Sequence, residues 1–363
     1  MKVSNKIKYV LFAIIASLFF ACADESSVSE TIPIEEGESN AEIASHDTIE
    51  YVEPPSFRCE EIVAIQVEDS SGNIDWDYDY SISYLDIHDG GMMGFAAYNQ
   101  INKVYQRKAA DDVWTITSGI YPFHTPPCRV GSVVLGQNFT HHDYYEYELC
   151  RKDDEDEKWS CSFTDTTGFS FACDDEYFYF LRGSTLLYSS DGIDWKPFSF
   201  GQEGAFFGGL GNAFMIDSLH YIYTGHSRLL WSKDLVTWDS AYVPVRQGAT
   251  KVVYGNGVFV YAGAWSELQY STDLKEWKKA KLQCPSCHSP WFSDIVFDKG
   301  VFFVVGSATE FSTTKIALAS VNGVDFLEQP ACGGADDFDK VYSDGKGDFY
   351  AMQNQHYSIF HRD

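Results

Sequence analysis

The sequence has few basic residues for its length. Its 363 residues contain 26 Lys and Arg against 53 Asp and Glu, a formal net charge of −27. Because so acidic a surface repels phosphate backbones, nucleic acid is not expected as a partner. The chain also has no Gly-x-Ser-x-Gly elbow, P-loop, dinucleotide-binding fingerprint or His-Glu-x-x-His helix. Several common enzyme classes therefore find no support.

The sequence also lacks the regular spacing of apolar residues that long helices show. After residue 55 the apolar residues come in short runs separated by Gly, Asn and Asp, as in the unit that begins at Lys251. Asn-Gly between two apolar runs, here Asn256-Gly257, is a strong hairpin signal. With 45% hydrophobic residues the chain can bury one large core. These features predict a single all-β domain.

What the chain does contain is a repeat in which a strand-like run enters an acidic turn and then reaches an aromatic residue. Clear copies pair Asp191 with Trp195, Asp234 with Trp238, Asp273 with Trp277 and Asn322 with Phe326. Degenerate copies end at Trp76, Trp114 and Trp159. An Asp that heads a tight turn accepts backbone N–H groups just ahead of it. The large aromatic then fills a wedge between neighbouring sheets, where burial stabilises by about 2 to 3 kcal/mol.

The spacing of these aromatics is about 40 residues, with several strands per unit, which predicts the blades of a β-propeller. Inner strands are predicted to begin near residues 81, 131, 168, 204, 251, 294 and 340. The last unit ends without an outer strand, while the run Glu61–Val67 and the turn before Trp76 have no inner strands before them. We therefore expect seven blades, one of them a composite of both termini, with six blades as the alternative if the Trp159 unit is irregular.

The N-terminal region reads as targeting sequence rather than structure. Residues 1–21 have a basic start and a short apolar run, which predicts an export signal. The run Leu18–Cys22 resembles a bacterial lipobox, which implies an acylated Cys22 and an outer-membrane lipoprotein of the cell envelope, with the cell surface as one destination. Ordinary cleavage after Ala23 is the alternative. Residues 22–55 are predicted to be a disordered acidic tether, and residues 56–363 the propeller.

Eight cysteines remain after Cys22, an even number that predicts disulfides in an exported chain. Cys150 and Cys161 flank an acidic hairpin turn and are candidates to face each other across it. Cys59 precedes the first strand and Cys332 the last blade, so closure of the ring is expected to bring them together. The other four are Cys128, Cys173, Cys284 and Cys287.

The acidic turns resemble the Asp-box (BNR) repeat of bacterial and viral sialidases, sortilin-type receptors and propellers of unassigned role. The resemblance spans most of residues 60–363 and implies the fold, not the ligand. The family pattern is Ser-x-Asp-x-Gly-x-Thr-Trp, and Ser189–Trp195 is one residue shorter. A sialidase would also need three arginines around a carboxylate, and Phe57-Arg58 is followed by Cys59-Glu60 rather than Ile-Pro. Sialidase activity is therefore not favoured.

Three sets of residues have the composition of ligand sites. Cys284, Cys287 and His288 match the haem c attachment pattern, but the flanking strands favour a connector carrying a disulfide, so no cofactor is predicted. His141, His142 and Asp143 lack further ligands at diagnostic spacing. The acidic runs at 153–157 and 336–339 are candidates for Ca²⁺, with solvated turns as the favoured interpretation.

Aromatic residues outside the repeat suggest where a ligand binds. Trp265 and Trp291 fall in predicted loops and are candidates to stack on a sugar ring, whereas Trp231 is assigned to packing. The leading hypothesis is a monomeric, lipid-anchored platform that binds a glycan or a partner protein without catalysis. The alternative is a glycan-active enzyme, a glycoside hydrolase, sialidase-like hydrolase or lyase, with carboxylates converging at the channel mouth.

Overall fold

A computed structural model describes residues 49–68, 71–77, 82–88, 91–95, 104–107, 113–117, 126–141, 146–156, 158–165, 170–182, 185–198, 209–224, 227–244, 251–263, 266–309, 314–333, 337–353 and 356–363. The predicted export signal, Cys22, most of the tether, Trp265, His142 and Asp143 lie outside these residues. Within the described residues the chain is all strand and turn, without any helix that could span a membrane.

The strands of the described residues are short and follow one another closely along the chain. In chain order they are β1 Phe57–Ile62, β2 Ile65–Glu68, β3 Ile74–Asp77, β4 Tyr84–His88, β5 Gly91–Phe95, β6 Val104–Arg107, β7 Val113–Thr117, β8 Cys128–Val130, β9 Val133–His141, β10 Glu146–Asp153, β11 Ser160–Asp165, β12 Ser170–Cys173, β13 Phe178–Arg182, β14 Thr185–Ser189, β15 Lys196–Phe198 and β16 Leu210–Ile216. They continue as β17 Leu219–Thr224, β18 Arg228–Ser232, β19 Asp239–Tyr242, β20 Lys251–Gly255, β21 Val258–Gly263, β22 Glu267–Ser271, β23 Lys278–Lys279, β24 Lys281–Gln283, β25 Trp291–Asp298, β26 Val301–Ser307, β27 Lys315–Ser320, β28 Asp325–Gln329, β29 Lys340–Ser343, β30 Phe349–Gln353 and β31 His356–Arg362.

Seven sheets, each built on an antiparallel four-stranded core, divide these strands into seven blades. The first six blades are β4–β7, β8–β11, β12–β15, β16–β19, β20–β23 and β25–β28, and the seventh is β29–β31 with β1. The first strands of successive blades lie side by side around the ring. The predicted seven-bladed β-propeller is confirmed, and the six-bladed alternative is wrong because the Trp159 unit forms a regular four-stranded blade.

The seventh blade joins the two ends of the described chain, as predicted. β1 pairs antiparallel with β31, with Cys59 opposite Phe360. The Cys59–Cys332 disulfide and hydrogen bonds between Ser56 and Asp363 hold the seam. The expectation that the Trp76 turn belongs to this blade is wrong. Only Phe57–Ile62 completes it, and the hairpin β2–β3 lies on the outer edge of the first blade.

Outer strands cross between blades at two places. After β1 the chain continues into β2, which pairs in parallel with β7 of the first blade. After β23 it continues into β24, which pairs in parallel with β28 of the sixth blade. Each crossover thus covers the outer edge of one blade with a strand that follows the outermost strand of the preceding blade.

Each boundary between adjacent blades holds one apolar cluster with one wedge aromatic, which comes from the repeat at six of the seven boundaries. Going round from the boundary of the seventh and first blades, these aromatics are Trp114, Trp159, Trp195, Trp238, Trp277, Phe326 and Phe57. The predicted wedge role therefore holds for six of the seven expected aromatics. Trp76 is the exception, since its side chain is 53% exposed, and Phe57 at 2% exposure takes its place. Phe57 packs edge-on against Phe303 and Phe349 of the sixth and seventh blades.

The four clear acidic turns share one hydrogen-bond pattern. In the turn at Asp234, the carboxylate Oδ1 accepts from the backbone N–H groups of Val236 and Thr237 at 2.8 and 2.7 Å. The hydroxyl of Ser232 accepts from Leu235 N and donates to Asp234 Oδ1. The turns at Asp191, Asp273 and Asn322 repeat this arrangement. These hydrogen bonds are thus local and join residues no more than three positions apart.

The alternating strand directions give the ring two distinct faces. We call the face that carries the four acidic turns the Asp-turn face. The opposite face, which we call the connector face, carries the links from the last strand of one blade to the first strand of the next. Residues 284–290 make the link to the sixth blade on the connector face.

Candidate functional site

The first strands of the blades, β4, β8, β12, β16, β20, β25 and β29, line the central channel. In a propeller this inner strand is an edge, so half of its backbone N–H and C=O groups have no partner in its own sheet. In this protein, side chains of adjacent first strands bind the backbone groups of Leu210, Val252 and Val341. We call this set of links the inner belt.

Two links of the inner belt pair a side chain with a backbone. Ser170 of β12 exchanges two hydrogen bonds with Leu210 of β16, at 2.8 and 3.1 Å. Asn212 of β16 in turn binds Val252 of β20, with its amide oxygen accepting from N–H and its amide nitrogen donating to C=O. An Asn amide has one donor and one acceptor side, so it substitutes for a peptide group of a missing strand.

Asp294 is the most deeply buried charged group of the inner belt, with a fully buried side chain. One carboxylate oxygen lies 3.0 Å from the Lys251 ammonium of the fifth blade, and the other accepts from Val341 N of the seventh. Its own strand contributes the Ile295 N–H. Because a buried carboxylate without partners is costly, these bonds fix Asp294 between three blades.

Arg129 of β8 joins the first two blades. Its guanidinium donates to the Asp86 carboxylate at 2.6 to 3.1 Å and to Asp154 at 2.9 and 3.0 Å. Burial lowers the pKa of Arg129, but the bonds and charges of Asp86 and Asp154 outweigh it and raise the pKa above its ordinary value. The next boundary is covalent, since Cys128 of β8 is bonded to Cys173 of β12.

Tyr342 of β29 packs at the boundary between the seventh and first blades, where its buried hydroxyl has no hydrogen-bond partner among the described residues. Burial raises the pKa of its hydroxyl well above the ordinary value, the negative charge of Asp294 adds to the rise, and the backbone of Leu85 in β4 acts against it. A hydroxyl in this state stays neutral at every physiological pH. The charged groups that the inner belt contains are thus engaged in holding blades together.

A second buried polar cluster lies toward the Asp-turn face, between the third and fourth blades. Asp174 accepts from the backbone N–H groups of Glu176 and Tyr177, from the Tyr179 hydroxyl at 2.6 Å, and lies 2.7 Å from His220 Nδ1. Burial and the charge of Asp174 raise the pKa of Tyr179. The cluster pairs a carboxylate with an imidazole, as a catalytic Asp–His dyad does. Its carboxylate is nevertheless buried and surrounded by hydrogen-bond donors from two blades.

The acidic run at 153–157 is largely neutralised by arginines within the described residues. Arg151 contacts Asp153 at 3.3 Å and Asp156 at 3.6 Å, and Arg129 binds Asp154. A hydrogen bond from Ser132 lowers the pKa of Asp153. Three of its carboxylates therefore already have cationic partners. Calcium binding there stays a prediction of the sequence.

The connector face between the fifth and sixth blades carries the predicted aromatic site. Trp291 is half-buried and is the first residue of β25, so the expectation that it lies in a loop is wrong. The backbone N–H of Ser266 donates to Pro290 C=O at 2.7 Å, which joins the chain directly after Trp265 to the chain directly before Trp291.

A compact loop with a disulfide leads into Trp291. Cys284 and Cys287 are joined, and the Ser286 hydroxyl makes a short hydrogen bond to Glu328 of the sixth blade. His288 is exposed and binds the Ala308 C=O through its backbone N–H. The arrangement agrees with the predicted disulfide connector. The absence of haem stays a prediction.

Sequence reasoning placed the clear repeat residues and the disulfides Cys59–Cys332 and Cys150–Cys161 where they occur, and it expected a disulfide in the connector at 284–287 without fixing its partners. It missed the Cys128–Cys173 disulfide and the entire inner belt. The signal for the belt was faint: a polar residue at similar positions of several first strands, separated by about one repeat. Trp231 packs against Tyr221 with the ring centroids 6.1 Å apart, which agrees with its assignment to packing.

Comparison with known proteins gives the fold and little more. No protein-family model and no curated protein matches the chain. Among solved structures, a streptogramin B lyase is 11% identical, with 85% of this chain and 98% of that chain covered and a TM-score of 0.58. YCF48 bound to a D1 peptide is 10% identical, with 87% and 100% covered and a TM-score of 0.56. The GH74 enzyme of Niastella koreensis is 14% identical, with 81% and 46% covered and a TM-score of 0.51.

These similar structures include two enzymes and a protein bound to a peptide. At such identities the likeness establishes a shared β-propeller and does not transfer a ligand or a reaction. The four disulfides fit an extracellular or envelope protein.

Proposed function

We propose that this protein is a noncatalytic binding platform of the bacterial cell envelope, whose connector face holds a glycan or a partner protein. The observation that carries the proposal is the inner belt. Asp86, Arg129, Lys251 and Asp294 are the charged groups with which a channel enzyme would work, and each is bound to another blade. A carboxylate already saturated by cations and N–H groups is a poor general acid or base.

The connector face between the fifth and sixth blades is the proposed binding surface. The Ser266–Pro290 hydrogen bond and the Cys284–Cys287 disulfide stiffen the two segments that lead to Trp265 and Trp291. Preorganised aromatic residues lose little conformational freedom on binding, which is why they favour stacking on sugar rings and burial in protein interfaces. The glycan-active enzyme remains the alternative, but among the described residues the channel charges Asp86, Arg129, Lys251 and Asp294 are already paired.

Anchoring belongs to the same proposal. Export, acylation of Cys22 and an outer-membrane location are supported by the sequence of residues 1–22 and by the disulfides. The acidic turns support membership of the Asp-box type of propeller through their shared Ser and Asp hydrogen bonds. Mass spectrometry of the N-terminal peptide from the exported protein tests acylation directly.

A glycan array probed with the full chain tests the binding proposal, with Trp291→Ala as the variant and Trp76→Ala as its control. Both tryptophans contact solvent, but Trp76 lies on the outer edge of the first blade. We expect retention on a small set of glycans, weakened about tenfold or more by Trp291→Ala, since stacking contributes on the order of 1 to 2 kcal/mol. If the array shows no binding and a pull-down captures a protein in a manner that depends on Trp291, the ligand is a protein and not a glycan. If Trp291→Ala weakens neither the retention of glycans nor the capture of a protein, the proposed site is rejected.

A further inference from the structure

We propose that the side chains of Lys315 and Gln353 become joined by an isopeptide bond, which links the sixth blade to the seventh. The inference goes beyond the binding platform and does not depend on it. Lys315 is the first residue of β27 and Gln353 the last residue of β30, so both lie at the connector-face ends of their blades. Three observations point to the bond: the contact between the two side chains, a carboxylate beside them, and their burial.

The ammonium group of Lys315 lies directly against the side-chain amide of Gln353. Its Nζ donates a short hydrogen bond to Gln353 Oε1 and a second hydrogen bond to the Cys332 C=O at 3.1 Å. The second bond fixes the direction of the lysine side chain and so keeps Nζ beside the amide carbon of Gln353. Two groups held in this way react as if they were highly concentrated, because the effective molarity of well-oriented groups reaches about 10⁵ to 10⁸ M.

Glu61 is the group that can move protons between the two nitrogens. Gln353 Nε2, the nitrogen that has to leave, donates to Glu61 Oε1 at 3.3 Å. The same carboxylate lies near Lys315, since a Cβ built on Gly333 would lie 2.8 Å from Lys315 Nζ and closer still to Glu61 Oε1. Glu61 therefore adjoins both the attacking and the departing nitrogen. A general acid and base in this position accelerates a reaction by about 10² to 10⁴-fold.

The reacting groups are shielded from water. Lys315 is 8% exposed, Gln353 is 5% exposed and Glu61 is half-buried. The buried ring of Phe338 covers the ammonium group, with its centroid 5.2 Å from Nζ. Burial of an ammonium group is costly even when the group is paired, and formation of an amide removes this charge. Exclusion of water also protects the finished bond from hydrolysis.

The reaction exchanges one nitrogen for another at Gln353 Cδ. The Nζ–Cδ bond forms and the Cδ–Nε2 bond breaks, so a secondary amide replaces a primary amide. Lys315 Nζ loses two protons as it changes from an ammonium group to an amide nitrogen. Glu61 accepts each proton and passes it to the departing nitrogen, which leaves as ammonium. Atoms and charge balance, and Glu61 returns to its carboxylate form.

The bond strengthens the seam at which the ring closes. Glu61 belongs to β1, which pairs with β31 in the seventh blade, and the Cys59–Cys332 disulfide holds the same region. A disulfide is broken by reductants, whereas an amide is not. The sixth and seventh blades therefore stay linked when the disulfide is reduced.

Peptide mass spectrometry of the full folded protein, after reduction and alkylation of its disulfides in urea, tests the proposal. Trypsin does not cleave after an acylated lysine, so the bond joins peptide 300–340, uncleaved at Lys315, to peptide 347–362. We expect this linked pair in most of the protein, with a mass one ammonia below the sum of the two peptides and fragment ions that place the bond on Gln353. Separate, unmodified peptides would overturn the proposal, because hydrogen bonds alone would then hold Lys315. Loss of water instead of ammonia would also overturn it, since the bond would then involve a carboxyl group.

Three variants test the roles of the individual residues. Lys315→Arg keeps the positive charge but removes the reactive amine, and it should contain no linked peptide. Glu61→Gln keeps the size of the side chain but cannot carry the protons, so the linked fraction should fall at least about tenfold. Lys251→Arg, which changes the other lysine paired with a buried carboxylate, is the control and should keep the link. An undiminished link in Glu61→Gln would overturn the proton transfer assigned to Glu61. Because the first measurement uses the wild-type protein, it decides the proposal whether or not each variant folds.

Discussion

At the scale of single residues, one acidic side chain in each turn accepts the backbone N–H groups that would otherwise need other hydrogen-bond acceptors. Asp191, Asp234 and Asp273 each accept two backbone N–H groups. Asn322 replaces Asp in the fourth copy for a reason the repeat alone does not reveal. Its amide nitrogen donates to Glu50 C=O at 2.9 Å and to the Asp325 carboxylate at 3.0 Å, which a carboxylate cannot do.

Asn322→Asp is therefore expected to loosen the N-terminal segment from the sixth blade. The substitution replaces a buried donor by a negative charge that faces a carbonyl and the Asp325 carboxylate, at a cost of about 1 to 3 kcal/mol at neutral pH. Urea unfolding should show the loss, and hydrogen exchange of residues 49–56 should accelerate. Asp234→Asn, in an exposed turn, is the matched control with a smaller effect. Unchanged exchange in Asn322→Asp would contradict this role for the amide.

The turns also predict how stability responds to acid. Backbone N–H groups hold the pKa of the Asp191 and Asp234 carboxyls below their usual range. Such carboxylates add stability that is fully present above their unfolded pKa of about 3.9 and is lost as the pH falls through the lower folded pKa. Asp191→Asn/Asp234→Asn should flatten the acid side of a plot of urea midpoint against pH. An equally steep fall below pH 4 in this variant would show that other groups govern acid unfolding.

At the scale of elements, the repeat predicts the number and positions of the blades but not which residues close the ring. The Asp-to-aromatic spacing could be read locally, so six of the seven wedge residues were predictable. Phe57 was not, because it follows no acidic turn and gains its place only when the strand after it pairs with β31, far along the chain. Trp76 carries the turn signal, yet its strand β3 has no blade on its outer side.

Phe57→Ala and Trp76→Ala compare these two aromatics directly. Phe57 is fully buried between the sixth and seventh blades, and its truncation is expected to cost about 3 to 5 kcal/mol. Trp76 is half exposed on an edge strand, so Trp76→Ala should stay within about 0.5 kcal/mol of the wild type. Urea unfolding measures both. Similar losses in the two variants would mean that the seam does not depend on Phe57.

The disulfides should contribute according to the length of chain that each encloses. Cys59–Cys332 spans 273 positions and Cys284–Cys287 only 3. Because a cross-link restricts the unfolded chain more when its loop is longer, replacing the first pair by Ser should cost about 5 kcal/mol and the second about 2 kcal/mol. Chemical unfolding of the two double variants gives the comparison. A larger loss in Cys284→Ser/Cys287→Ser would point to a role for the connector beyond chain entropy.

At the scale of the whole molecule, the ring is closed by two layers of links. Outside lie the apolar clusters with their wedge aromatics, and inside lies the belt of Asp86, Arg129, Asn212, Lys251 and Asp294. The outer layer follows from the repeat. The inner layer joins residues about one repeat apart, and the sequence does not say which polar side chain of one first strand meets which backbone group of the next. The links of the inner belt therefore could not be predicted, and the role of Trp265 and Trp291 in binding stays a prediction.

The connector face carries the proposed ligand site. It presents Trp291, the first residue of β25, directly after the link 284–290 with its Cys284–Cys287 disulfide. Because the channel charges are committed to the belt, the ligand on the connector face is expected to be held and released unchanged.

The mass of that ligand after long contact with the protein tests this claim most directly. The full chain is incubated with each glycan that retains it on the array, and the glycan is then analysed by mass spectrometry. We predict that the mass of the glycan is unchanged, with the same result for Asp294→Asn. Products that have gained water at a glycosidic bond, or unsaturated fragments of a lyase reaction, would contradict it and restore the glycan-active enzyme.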